Sequence, residues 1–296
     1  MTDPKELLVG AIDLHVHCNP DVLPREVGDF EIAKRIVDCG MKGYGIKSHF
    51  FCTAQRAELV REVFPKCNAV GALALNRAVG GINPIAVELA GRAGAKIVWF
   101  PSCDSKNESG RIDTAGPKSP PWVKIVKETR AAGVAYDPIY ILDENGKLIP
   151  EVYDVLTVIK NYDMALATSH LTHEEAFALV KEAHARGIRK IIITHCSGPS
   201  TYYTNSEQTD LLQYGVYFEH CYTTYSKGFR TKDFIADQIK NVGAEHVIFG
   251  TDLGPKGCIP ADEGILNFIT DMQAFGFSDR DLKLMSGENN EFLISD

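Results

Sequence analysis

Eight short apolar runs, spread along nearly the whole chain, limit its fold more than any other feature. They are LLVGAIDLHV, GYGIKS, AVGALALN, AKIVWFPS, MALATSH, KIIITHC, YGVYFEH and HVIFGTD. Each is near-continuous and rich in Val, Ile, Ala or Phe, the pattern of parallel strands buried on both faces. Most of the intervals read as amphipathic helices with start and stop signals. Asn83 is an N-cap followed by Pro84 at the first helical position. Thr172 and Glu175 form a capping box, and that helix stops at Gly187. Pro150 sits inside the first turn of another helix, and RDLKLMSGENNEFLI closes the chain with a further apolar-periodic segment.

Eight strands alternating with helices predict an α/β protein, a single (β/α)8 TIM barrel. The length of 296 residues suits one domain over 1–296, because such a barrel takes roughly 250 residues. An open doubly wound sheet is the runner-up, but it commonly places a Gly-rich phosphate turn after its first strand. Here the first strand ends in HVH. Two segments depart from the alternation. Residues 102–121 read as a long polar loop after the fourth strand, placed to act as a lid. Residues 133–150 read as a β-ribbon around the turn DENGK.

The formal charge of −8 argues against nucleic acid or an anionic membrane as the main partner. A small-molecule substrate is left as the expectation, and a homo-oligomer is compatible with it. No apolar run approaches the roughly 18 residues of a membrane span, and MTDPKELLVG lacks the pattern of a signal peptide. The eight cysteines form no CxxC pair, so they read as free thiols of a cytoplasmic protein.

The chemistry lies at the strand ends. His15 and His17, two apart on a strand, share a face. Neutral imidazoles ligate zinc and similar ions. Alone, such a pair is more often just polar and solvated at a strand end. However, His170 ends the fifth run, His195 the sixth and Asp252 the eighth. In a barrel all these ends open on one face, where active sites lie. Four imidazoles and a carboxylate from distant parts of the chain would converge there.

With DLHVH, SH, THCSG and GTDLG in this order and spacing, the sequence resembles the amidohydrolase superfamily of metal-dependent hydrolases over almost its full length. The resemblance implies that His15 and His17 bind one metal. It implies that His170 and His195 bind a second or share the first, and that Asp252 both ligates metal and shuttles a proton as the catalytic residue. Many two-metal members take a bridging carboxylated lysine or a glutamate from strand four, but here that strand ends VWFPSCDS. Lys47, in GIKSHF, ends strand two and is the candidate bridge if N-carboxylated. Uncarboxylated, it would be a cation for an anionic substrate or the pocket rim, and the site would hold one metal. Zinc is the first expectation, with Mn, Fe or Co also suited to these ligands.

Substrate contacts are expected from His49, Arg77 (or Asn76 beside it) and His220, with Glu219 the alternative to His220 on strand seven. His173 and His184 read as local to their helix, and His246 lies at the opposite barrel end. Cys18 and Cys196 read as packing residues. The implied reaction is hydrolysis of an amide, cyclic amide, lactone or similar bond. A one-metal decarboxylase or lyase on the same barrel is the alternative. Phosphoesterases of the polymerase and histidinol phosphatase type also open with HxH but close with DxH, where this chain has TDLG. A non-catalytic metal-bearing barrel is the remaining reading.

Overall fold

The eight runs form eight strands: β1 (Ile12–Val16), β2 (Gly43–Ile46), β3 (Asn68–Ala74), β4 (Ala95–Trp99), β5 (Ala165–Ala167), β6 (Ile191–Ile193), β7 (Tyr217–Cys221) and β8 (Val247–Gly250). They pair in parallel in chain order. This computed structural model describes residues 2–114, 116 and 119–295. The end of β1 and the turn after β8 close the ring. Val16 bridges Leu253 in parallel. The Asp252 N–H donates to the His15 carbonyl at 2.9 Å, and the His17 N–H donates to the Leu253 carbonyl at 2.9 Å. The fold is a (β/α)8 TIM barrel. A doubly wound sheet would reorder its strands and keep two free edges.

Side chains from alternate strand positions fill two layers. Ile12, Leu14, Val70, Ala72, Ile97, Trp99, Ala165, Ile192 and Ile248 pack inside the barrel. The opposite faces of the strands pack with the helices in the larger core, with Phe218, Phe249, Phe268 and Leu179 among its members. The strands therefore read as continuous apolar runs because both faces are buried. The helix signals hold locally. Asn83 accepts from the backbone N–H groups of Ile85 and Ala86, the Thr172–Glu175 capping box is formed, and Pro150 opens its helix.

Two segments take other forms than their composition suggests. Within 102–121 a helix runs over Lys106–Asp113, capped by the Ser105 side chain on the Glu108 N–H. Residues 115, 117 and 118 of this stretch lie outside the described residues. In 133–150, Leu142 and Leu148 make one antiparallel bridge, and Ile149 N–H donates to the Ile141 carbonyl. Polar residues such as Asp143 fold back on their own backbone there, accepting from the Asn145 and Lys147 N–H groups. This gives a tight turn closed by one antiparallel bridge, and Ile139 of the same segment bridges Ser105 in parallel.

The β1–β2 register shifts between Asp13 and Val16. As a result Leu14 packs inside the barrel, yet His15 also points inward, against Trp99 (ring centroids 4.7 Å apart). A regular strand would send these neighbours to opposite faces. The irregularity is held by Asp13, whose Oδ1 accepts the His15 N–H (3.0 Å) and the Thr251 N–H (3.1 Å). Its Oδ2 accepts the Thr251 hydroxyl at 2.5 Å. Burial raises the Asp13 pKa to about 7 despite these hydrogen bonds.

Gly254 completes the closure. Its φ is +142°, and a Cβ there would stand 1.9 Å from the His17 carbonyl oxygen. Gly94 is a control: φ +84° with nothing within 4 Å of a built Cβ. Gly94→Ala is expected to cost about 1–2 kcal/mol for its left-handed backbone. Gly254→Ala should cost more, on the order of 4 kcal/mol or outright misfolding. Urea midpoints of the two variants test this, and equal shifts would refute the close-contact argument.

Candidate metal centre

The strand ends bring His15, His17, Lys47, His170, His195 and Asp252 to one end of the barrel. Asp252 Oδ1 lies 3.1 Å from His15 Nε2 and 3.3 Å from His17 Nε2. Rings step across the barrel mouth from His17 to His15 (centroids 5.6 Å), His15 to His195 (5.0 Å) and His195 to His170 (5.1 Å). Lys47, fully buried, places Nζ 2.8 Å from His15 Nε2 and 4.1 Å from the centre of the Trp99 ring. His195 and Asp252 hold left-handed backbone at φ 51° and 53°, as does Ser169, the neighbour of His170, at 53°. Such conformations are uncommon away from glycine and cluster at functional sites.

Two buried carboxylates orient the rings. Glu219 Oε1 accepts from His15 Nδ1 at 2.9 Å, and Glu108 Oε1 accepts from His170 Nδ1 at 2.9 Å. Each holds its imidazole through Nδ1, the arrangement that metal-binding histidines commonly use, and in His15 the other nitrogen, Nε2, faces Asp252 and Lys47. Glu219 has room because Gly250 faces it; a Cβ on Gly250 would be 3.1 Å from Glu219 Oε1.

The charges follow from these contacts. Burial alone would raise the Glu219 carboxyl, but the charge and hydrogen bond of His15 win and hold it at about 2. Burial works the same way on Asp252, and His15 and His17 overcome it, leaving the carboxyl well below its usual range. Burial pushes His195 down to about 3 and His17 well below its ordinary value, with Arg25 adding to the effect. Burial also lowers Lys47. His15 is raised, because Glu219 and Asp252 outweigh its own burial.

The donor set fits a divalent ion. His15, His17 and Asp252 offer nitrogen and oxygen atoms within 4.8 Å of one another, and His15, His195, Glu219 and Cys221 offer nitrogen, oxygen and sulfur atoms within the same distance. Unprotonated imidazoles and an ionised carboxylate are the forms that ligate. His17 Nδ1 is buried with no hydrogen-bond partner among the described residues. Above the cluster lies a cavity of ≈ 1030 Å³, lined in part by His17, His49, His170, His195 and Asp252. That volume is at the upper end for small-molecule sites.

Of the expected substrate contacts, only His49 faces the cavity. Its Nδ1 meets Ser102 Oγ at 2.9 Å, and Asn76 braces both by donating from Nδ2 to the His49 carbonyl and Ser102 Oγ. Arg77 turns away: Nε and Nη2 donate to the carbonyls of Asp137 and Pro138, so it is a loop clamp. His220 is also misplaced by the sequence reading. It is fully buried on the outer face of β7, with Nδ1 3.0 Å from Ser197 Oγ and Cys196 3.5 Å from Nε2. Val216 and Phe218 share its parity and belong to the outer core. That parity was the available signal that Glu219, not His220, points inward. Glu108 was missed because its segment read as a loop, although Ser105 and Glu108 have the S-x-x-E spacing of a helix start.

Residues 10–219 match the model of a family described as a family of unknown function (DUF6282). The chain belongs to that family. No curated protein matches the sequence. The structure is similar to that of an amidohydrolase from Pseudomonas aeruginosa, at 12% identity and TM-score 0.63, covering 99% of this chain and 98% of that one. A lactonase from Listeria monocytogenes matches at 12% identity and TM-score 0.60, covering 99% and 96%. An organophosphorus hydrolase from Deinococcus radiodurans matches at 13% and 0.59, covering 99% and 94%. At these identities the likeness is one of fold.

The Glu108–His170 contact has a signature in stability. Burial would raise the Glu108 carboxyl, but the hydrogen bond and charge of His170 push it down to about 2. A depressed carboxyl stabilises fully above its unfolded value near 4.5, and the benefit fades as pH falls towards 2. In chelator-treated protein, Glu108→Gln should therefore lower the unfolding midpoint at pH 7 and flatten its decline between pH 4.5 and 2. Parallel curves for wild type and variant would refute the coupling.

Proposed function

We propose that the protein is a metal-dependent hydrolase of a small molecule, cleaving an amide, cyclic amide, lactone or similar bond. The observation that carries this reading is the convergence of His17, His170, His195 and Asp252 on one cavity, with His15 fully buried beside Asp252. The solved structures of similar fold, named for amidohydrolase, lactonase and organophosphorus hydrolase activity, support it. His15, His17 and Asp252 would hold one divalent ion, zinc first, with His170 and His195 at the other side of the cluster. When bound, such an ion lowers the pKa of a water ligand and polarises a carbonyl oxygen.

The remaining work falls to the chain. Asp252, ionised and about a quarter exposed to the cavity, would take the proton of the attacking water and pass it to the leaving nitrogen or oxygen. Thr223 Oγ1 donates to its second oxygen at 3.2 Å, steadying the carboxylate. His49, lowered well below its ordinary value by burial and by His17, is a neutral donor or acceptor towards substrate. Lys47 would serve as an N-carboxylated bridge between two ions. Its burial favours the neutral amine that carboxylation requires. No helix among the described residues is long and apolar enough to cross a membrane, and a cytoplasmic enzyme, monomeric or homo-oligomeric, fits this reading.

His17→Ala and Asp252→Asn should abolish turnover of a lactone and an amide panel while circular dichroism stays native. Glu219→Gln should weaken zinc binding about 10–100-fold, since it loosens His15 without removing a ligand. A chromophoric chelator in competition measures this. Full activity in metal-free protein, or in His17→Ala, would overturn the proposal.

A further inference from the structure

One buried cation on the cavity wall narrows the choice of substrate. Arg25 is strapped to the turn that carries Asp252. It pairs antiparallel with Pro255, and the Glu26 N–H donates to the Gly254 carbonyl at 2.7 Å. Its side chain lines the cavity although the residue is only 3% exposed. Nε donates to Asp21 Oδ2 at 2.7 Å. Nη2 lies 2.6 Å from the same oxygen, the second arm of a buried ion pair, whereas Nη1 makes no hydrogen bond among the described residues and is not sealed from the cavity. Asp21 is itself engaged elsewhere, its Oδ1 accepting from Ser48 Oγ and the Val22 N–H. A guanidinium carries five N–H donors in a rigid fork. Here Nε and Nη2 face Asp21, which leaves the Nη1 donors for a ligand in the cavity.

The missing acceptor has a chemistry. Guanidinium N–H groups left over at a cavity wall match a carboxylate oxygen, with which they make a charge-assisted hydrogen bond. The cavity lining includes the apolar side chains of Leu23, Trp122, Val123 and Phe229, together with the cations Arg111, Lys227 and Lys256. The charge of Arg25 reaches the histidines of the floor, contributing to the lowering of both His17 and His49. We infer that Arg25 seats a carboxylate of the substrate, so that the molecule hydrolysed is an acid with an apolar body. This deepens the hydrolase reading and rests on it for the word substrate.

The test is a binding titration, which needs no turnover. Zinc-loaded protein is titrated calorimetrically with benzoate and with benzamide, in wild type, in Arg25→Lys and in the paired variant Asp21→Asn/Arg25→Met. The paired variant removes both charges and so leaves no unpaired buried carboxylate. Wild type should bind benzoate about tenfold or more tighter than benzamide, the scale of a charge-assisted hydrogen bond. The paired variant should lose about tenfold for benzoate with benzamide unchanged, and Arg25→Lys should fall between. Any direct contact of benzoate with zinc is common to all three proteins and cancels from the comparison. The inference is overturned if wild type shows no preference or binds neither probe. It is also overturned if benzoate affinity survives in the paired variant, or if both probes weaken equally, which would make Arg25 a structural residue only. Hydrolysis of neutral lactones by wild type is read separately, so failure of the hydrolase reading leaves a distinct result.

Discussion

The structure depends on how its first strand meets its last. The Asp13 carboxylate gathers the His15 N–H, the Thr251 N–H and the Thr251 hydroxyl into one buried set of hydrogen bonds. Two backbone hydrogen bonds follow directly, from Asp252 to His15 and from His17 to Leu253. These contacts close the barrel. They also set Asp252 within 3.1–3.3 Å of two imidazole nitrogens that come from the other end of the chain. Closure and site assembly are thus one event, and the left-handed backbone at Asp252 and the glycine at 254 are its local costs.

Electrostatics then divide the buried groups by task. Glu219 and Glu108 are acceptors for one imidazole Nδ1 each and stay ionised because those rings stand beside them. His17 and His195 are pressed towards their neutral forms by burial, which keeps nitrogen lone pairs free. Lys47 lies beneath them, over the Trp99 ring, in surroundings that disfavour its charge. The floor of the cavity combines neutral nitrogen donors with an ionised carboxylate, the set a borderline divalent ion prefers.

The sequence made the architecture legible because both faces of every strand are buried, which turns each strand into a conspicuous apolar run. The ends of those runs carry His15, His17, Lys47, His170, His195 and Asp252, which the barrel brings to one mouth. What escaped depended on parity and on loops. On β7 one residue of offset separates Glu219, beside His15, from His220, sealed against Cys196 and Ser197. On β1 the register shift puts two consecutive residues inside, which no alternation rule anticipates. Arg77 looked like a pocket cation by position, but neighbouring carbonyls claim its guanidinium. Glu108 and Arg25 enter the site from segments with no apolar period, where only tertiary contacts assign a role.

The most direct test of the central claim is anomalous diffraction at the zinc edge from crystals grown with zinc. A peak at about 2.0–2.2 Å from nitrogens of His15 and His17 and from the Asp252 carboxylate is the result expected from this geometry. Crystals with zinc in excess that show no peak there, or a peak only at sites remote from these three residues, would contradict it.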